Sequence, residues 1–154
     1  MDHTSVSVAV ENIRTLGYAS ERWCRIVAVV VQCDTDVRTL EAWAYQAGHS
    51  AGVIRAWCRA AGLSPKRSLD FARLLRVVVR NAGRPASPFE LLDVADDRTM
   101  RRLLATGGIA PSMESWPEVA TYLSCQRFID HPALLEKIAA ICVAALGVDL
   151  RRVN

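Results

Sequence analysis

Apolar residues recur three and four positions apart along most of the chain, and almost no stretch alternates apolar and polar residues for long. A spacing of three and four gathers apolar side chains on one face of an α-helix, whereas a half-buried strand needs alternation. The pattern therefore predicts an all-α protein, a helical bundle. The run from Ile26 to Val31 leaves one alternative open, because Ile and Val are middling helix formers and the run could be a buried strand.

Glycine, proline and capping residues divide this pattern into segments. Helices are predicted over residues 6–16, 20–33, 39–47, 51–61, 65–81, 88–95, 98–105, from about 115, and 132–146. Gly17 is expected to end the first helix, Ser20 to cap the second, and Gly147 to end the last. Gly48 is expected to end the third helix and Ser50 to cap the fourth. Ser115 is expected to cap the eighth helix, with Pro117 in its first turn, where a missing N–H does no harm.

Two pairs of these helices have the order of a helix-turn-helix unit, and the helix over residues 65–81 links them. In the first pair, a small apolar core is expected between the helices: Leu40, Ala44, Val53, Ile54 and Trp57. The outward positions of its second helix are then Gly52, Arg55, Ala56 and Arg59. In the second pair, Asp96 and Asp97 are expected to cap an arginine-rich helix. The chain therefore divides into an N-terminal helical flank (1–37), a double helix-turn-helix region (38–108) and a C-terminal helical flank (109–154), expected to pack as one compact unit.

Positive charge is concentrated in the middle of the chain. The whole chain has a net charge of +3, but residues 51–110 hold eleven basic and five acidic residues, a net charge of +6. Such an excess of positive charge would attract a polyanion to this part of the chain. A solvated helix face or a GC-rich genome would also explain it, since 17 of the 19 basic residues are arginine.

The residues of this middle region resemble the DNA-binding domain of AraC/XylS-type regulators over about residues 38–107. The string TLEAWAYQAGHSAGVIRAWCRAAGLSPKRSLDFARLLRV has the family's order of parts: an alanine-rich helix, Gly-x-Ser, a recognition helix, Gly-x-Ser-Pro and an arginine-bearing linker helix. The family landmarks are Gly48, Ser50, Ile54, Gly62, Ser64 and Pro65, followed by Leu69, Arg73 or Arg76, and Val77 along the linker helix. The string VADDRTMRRLLATGG is similar to the second recognition helix, with Met100, Arg102 and Leu104 in its hydrophobic-x-Arg-x-hydrophobic pattern.

The resemblance implies that Arg98, Thr99 and Arg101 face the DNA groove and that Arg102 contacts phosphate. The first unit departs from the family pattern, since its recognition helix is at least one residue short, Ala56 stands at the customary arginine position, and Cys58 stands at the usual bulky aromatic. The second unit lacks the usual glycine before its acidic turn. Its three arginines nevertheless make it the more competent DNA-binding unit of the two. The full set of candidate DNA-contacting residues is Arg55, Arg59, Lys66, Arg67, Arg98, Thr99, Arg101 and Arg102.

The function predicted is that of a bacterial transcription regulator that binds double-stranded DNA with full or partial sequence specificity. The alternative is a helical protein-interaction or assembly module that keeps the scaffold without reading bases. No catalytic, cofactor or metal site is expected, because the three histidines are scattered and no phosphate loop, nucleophile elbow or Cys-x-x-Cys pair is visible.

The remaining expectations concern the thiols, the tryptophans and the surroundings of the protein. The five cysteines are expected to be buried and reduced, and the four tryptophans to be core anchors. No apolar run reaches the roughly 20 residues of a membrane span, which predicts a cytoplasmic protein without a membrane partner. The apolar last helix must be buried, either in its own fold, which is favoured, or against a second copy in a homodimer.

Overall fold

The computed structural model describes the backbone of residues 3–129 and 132–146 and the side chains of residues 17–129 and 132–142. Eight helices occupy these ranges: α1 (His3–Gln32), α2 (Leu40–Ala47), α3 (Ala51–Ala60), α4 (Pro65–Asn81), α5 (Pro88–Leu91), α6 (Asp97–Thr106), α7 (Val119–Ser124) and α8 (Pro132–Leu146). The β-pairing in the described part of the chain is a single isolated antiparallel bridge between Pro85 and Ser115. The prediction of an all-α helical bundle is confirmed, and residues 26–31 are helical.

The first two predicted helices form one helix, so the predicted break at Gly17 and cap at Ser20 are wrong. Gly17 does not adopt the positive φ that ends a helix, and α1 continues through it to Gln32. A glycine inside a helix costs only about 1 kcal/mol relative to alanine. The apolar residues that follow it, such as Trp23 and Val27, are fully buried, and α1 packs on both α4 and α8. Tertiary packing therefore outweighs the local signal to stop.

Two later boundaries also differ from the prediction. The helix expected over residues 88–95 ends at Leu91, and Leu92 is already extended. The helix expected from Ser115 begins at Val119 instead. Trp116 N–H donates to the Arg84 carbonyl at 2.9 Å, and its own carbonyl accepts from Gly83 N–H at 2.9 Å. These bonds hold the chain around Ser115 and Pro117 extended, so that it cannot start a helix.

Helix α4 is the centre of the core, and α1, α2, α3, α6 and α7 pack on it. The side chains from Phe71 to Val79 are all buried, on every side of the helix. Phe71 stacks between Trp23 and Tyr122, with ring centroids 5.8 and 5.7 Å away. Trp23 Nε1 donates to Ser68 Oγ at 2.9 Å, and both groups are buried. Because five helices cover α4, its neighbours are the elements left to face solvent.

Helix α8 lies against α1. Leu134, Ile138 and Cys142 are buried, whereas Glu136 and Lys137 are exposed. The described part of α8 therefore has its apolar face covered within its own chain, and Gly147 lies outside the described residues. No helix in the described part of the chain is long and apolar enough to cross a membrane.

The five cysteines are free thiols, but they do not share one environment. Burial raises the pKa of Cys24 to about 12 and the pKa values of Cys58 and Cys142 to about 11. Cys33 is half-buried, and Cys125, the residue that ends α7, is exposed. The prediction that all five are buried is therefore wrong for Cys125, which follows the last residue of α7 as its C-cap at the surface, and it holds only in part for Cys33. Among the tryptophans, Trp23, Trp43 and Trp116 are core anchors as expected, and Trp57 is half-buried.

Candidate nucleic-acid interface

Helices α2 and α3 are joined by a three-residue turn, and local signals fix both of its ends. Gly48 takes the left-handed conformation with φ 73°, which lets it close α2 without a Cβ clash. Ser50 Oγ then accepts from Val53 N–H at 3.2 Å and caps α3. The sequence predicted this turn and both residues.

Helix α3 divides into a buried and an exposed face. Ile54 and Cys58 are buried where α3 packs on α1, α2 and α4. Gly52, Ala56 and Arg59 lie on the opposite face and are exposed, as predicted. Arg55 is partly exposed, and its guanidinium is 4.0 Å from the Glu41 carboxylate, a separation at the outer limit of an ion pair.

The predicted small core between α2 and α3 is only partly buried. Ala44 and Ile54 are buried, whereas Leu40, Val53 and Trp57 are half-buried. Two polar residues cover the Trp57 ring: the His49 ring meets it edge-on at 4.7 Å, and the Arg22 guanidinium lies 5.5 Å from its centroid. Arg22 belongs to α1, so the N-terminal flank contacts α3 at the half-buried Trp57.

Lys66 and Arg67 lie in the first turn of α4, which Ser64 caps by accepting from Arg67 N–H at 3.3 Å. Both side chains are exposed. The Arg67 guanidinium lies over the Phe128 ring, 5.4 Å from its centroid. Such a contact holds the side chain in place and leaves its charge accessible.

Helix α6 presents the densest group of basic side chains. Asp96 Oδ1 accepts from Thr99 N–H at 2.7 Å, which caps the helix and lowers the pKa of the Asp96 carboxyl. The apolar side chains Met100, Leu103 and Leu104 are buried on the side where α6 packs on α4. The four predicted site residues all lie on the exposed side: Arg98, Thr99, Arg101 and Arg102.

The only ion pair that α6 makes among the described side chains is weak. Arg101 Nε lies 2.8 Å from Asp97 Oδ2, one turn earlier, and both side chains are about two-thirds exposed. An exposed pair of this kind contributes only about 0.3–0.5 kcal/mol. Arg101 can therefore leave Asp97 and pair with a stronger anion, with little loss of free energy.

Three arginines of the positively charged region make hydrogen bonds within the fold. Arg73 binds Asp36, Arg76 donates to the carbonyls of Cys33 and Asp34 at 2.7 and 2.5 Å, and Arg80 donates to the Val31 carbonyl at 3.2 Å. Burial lowers the pKa of Arg76. Arg80 is itself partly exposed. The other exposed or partly exposed basic residues of residues 51–110 are the seven predicted ones and Arg84, which sequence reasoning missed: Arg55, Arg59, Lys66, Arg67, Arg84, Arg98, Arg101 and Arg102.

The structure thus places every predicted site residue at the surface, on α3, on α6 and at the start of α4. Because α3 and α6 both pack on α4, one helix carries the two arginine-bearing elements. No protein-family model, curated protein or solved structure matches the chain. The similarity to AraC/XylS-type domains stays a prediction from the sequence.

Proposed function

We propose that the protein binds double-stranded DNA through the exposed faces of α3 and α6. The observation that carries this proposal is the same division on both helices: the apolar face is buried in the core, and the opposite face presents arginines to solvent. Each helix follows a tight capped turn or loop, which fixes where its N-terminal half lies. A helix held in this way can enter a major groove while its neighbours contact the backbone.

The two helices suit different tasks. On α3, Gly52 and Ala56 leave the surface beside Arg55 and Arg59 free of bulky side chains, which favours close approach to phosphate. On α6, Arg98 and Arg102 are one turn apart, and neither takes part in an ion pair among the described side chains. Arginine pairs with guanine through two hydrogen bonds, so α6 is the better reader of bases.

The resemblance to AraC/XylS-type domains supports the further proposal that DNA binding regulates transcription, in a bacterial cytoplasm. A homodimer through α8 would give such a regulator two DNA-binding surfaces. The described side chains of α8 that are exposed and available for that contact are Pro132, Ala133, Glu136, Lys137 and Ala140, because the opposite face packs on α1. Sedimentation at several protein concentrations tests the dimer.

A helical protein-interaction module is the second candidate, and one observation favours it. Tyr45 on α2 is 83% exposed and Phe89 on α5 is 55% exposed. Exposed aromatic side chains are enriched at the centres of protein interfaces. A partner protein would bind through these two rings, and the Tyr45→Ser/Phe89→Ser variant would no longer bind it.

The DNA proposal is tested with two double variants and a control. Arg98→Ala/Arg101→Ala removes charge from α6, Arg55→Ala/Arg59→Ala removes it from α3, and Arg127→Ala removes an exposed arginine outside the charged region. Binding to a random-sequence duplex library is measured over a range of salt concentrations, after circular dichroism has shown that each variant is folded.

Each lost phosphate contact lowers the slope of log affinity against log salt by about 0.9, and each lost guanine contact costs about 1–3 kcal/mol. We therefore expect both double variants to bind more weakly with a flatter salt dependence, and Arg127→Ala to bind as the wild type does. The α6 variant should also lose any sequence preference selected from the library. A folded wild-type protein that does not bind duplex DNA would overturn the proposal.

A further inference from the structure

A buried carboxylate joins the loops that lead into α2 and α6. Asp36 lies between α1 and α2, and its side chain is only 3% exposed. It accepts two hydrogen bonds from Arg73 of α4, from Nε at 2.9 Å and from an Nη at 2.6 Å. It also accepts one from the backbone N–H of Asp93, at 2.8 Å.

Asp93 belongs to the loop between α5 and α6 and is held from three sides. Besides the bond from its N–H to Asp36, its carbonyl accepts from Arg73 at 3.3 Å. Its carboxylate lies 3.4 Å from a guanidinium nitrogen of Arg38, two residues before α2. The loop before α2 and the loop before α6 are therefore bonded to each other and to the same point of α4.

We propose that Asp36 and Arg73 are positioning residues that fix α6 relative to α2 and α3, so that α3 and α6 meet one duplex together. This inference rests on the proposed DNA binding. Two helices that read one duplex must keep the spacing and orientation of its groove, and a rigid scaffold avoids ordering them when they bind. The bidentate Arg73–Asp36 geometry provides that rigidity, since two parallel bonds fix direction as well as distance.

The test must separate positioning from general stability. Removing one partner alone would leave a buried charge unpaired, so both are replaced by apolar residues of similar size in Asp36→Leu/Arg73→Met. Replacement of a whole buried ion pair by apolar residues is often neutral for stability. The variant stays folded under this reasoning but cannot accept the Asp93 N–H. The control is Arg80→Met, which removes a bond between α4 and α1 and leaves both loops untouched.

The first measurement needs no DNA. Spin labels are attached at Ala56→Cys on α3 and Ala105→Cys on α6, both exposed positions, with Cys33 and Cys125 replaced by serine. The distance distribution between the labels is then recorded by pulsed electron resonance. We expect a narrow distribution in the parent and in Arg80→Met and a clearly broader or shifted one in Asp36→Leu/Arg73→Met. An unchanged distribution in the folded double variant would overturn the positioning role.

The second measurement links positioning to binding. In the wild-type background, Arg98→Ala/Arg101→Ala should lower duplex affinity at least about tenfold. In the Asp36→Leu/Arg73→Met background, the same α6 substitutions should lower it less than about threefold, because a misplaced α6 no longer contacts the duplex bound by α3. Equal losses of duplex affinity in both backgrounds would refute the link between the positioning of α6 and DNA binding. If the wild type binds no duplex, the proposed function fails, while the label distances still decide whether the pair positions α6.

Discussion

A methyl group added at Gly107 should destabilise the protein through overpacking alone. Gly107 ends α6 with φ −91°, a conformation open to any residue, so no backbone strain arises on substitution. A Cβ built there would overlap Leu74 Cδ1 and lie 3.2 Å from Tyr122 Cε2. Both neighbours are fully buried, and Tyr122 is further held by the hydrogen bond from its hydroxyl to the Phe71 carbonyl at 2.9 Å. Either the end of α6 or the buried side chain of Leu74 must therefore shift within the packed core.

The expected cost follows from that geometry. Forcing one extra methyl group into a packed core costs about 1–3 kcal/mol. Movement of Gly107 also strains the bond from Gln126 Nε2 to its carbonyl, which is 3.1 Å long. We expect Gly107→Ala to lower the free energy of unfolding by about 1–3 kcal/mol, and the Tm by about 2–4 °C for each of these kcal/mol.

Urea unfolding followed by tryptophan fluorescence measures this difference, and Gly17→Ala is the control. Gly17 lies inside α1, and a Cβ there meets no atom within 4 Å. With helix propensity as the only effect, Gly17→Ala should raise the stability by about 0.5–1 kcal/mol. If Gly107→Ala were as stable as the wild type, the close packing of α6 on α4 and α7 would be refuted.

Two further predictions concern the thiols and the cap of α6. A water-soluble disulfide reagent should modify Cys125 quickly in the native protein, whereas Cys24, Cys58 and Cys142 should react only after unfolding, because burial raises their pKa values to about 12, 11 and 11. Mass spectrometry of the labelled peptides checks this, and fast native labelling of Cys24 would contradict it. The pKa of Asp96 is lowered in the folded state, so its contribution to stability is present above its unfolded pKa of about 3.9 and is lost as the pH falls through the folded pKa. Asp96→Asn caps without titrating, so the wild type should lose stability relative to this variant in acid, and parallel pH profiles of unfolding would refute the cap's role.

The sequence was a good guide where the signal is local. Ser50 and Asp96 were predicted to cap helices and do so, and Ser64 caps the helix predicted to begin at Pro65, because a cap depends on residues only three positions apart. The predictions at Gly17 and Ser115 were wrong because distant contacts decide the backbone conformation there. At Gly17 the helix continues because α1 packs on α4 and α8, and around Ser115 the chain is extended because it bonds to residues 83–86.

The candidate site was predicted for a similar reason. An arginine such as Arg59 shows by helical spacing alone that it faces away from the apolar side, whereas the family resemblance implied the outward position of Arg98. Asp36 gave no such signal, since its partners Arg73 and Asp93 are 37 and 57 residues away. Spacing likewise could not tell that Arg73 and Arg76 are buried and that Arg80 bonds to the end of α1, because α4 is covered on all sides.

The way α1 ends has a consequence for the order in which the protein folds. No basic residue lies in its last turn, and the carbonyls of Val31, Cys33 and Asp34 are satisfied by arginines 42–49 residues further along the chain. Those bonds can form only after a long loop has closed, a step that is slow compared with helix growth. We therefore expect the end of α1 to be completed late, when α4 docks, and an isolated peptide of its sequence to fray at that end.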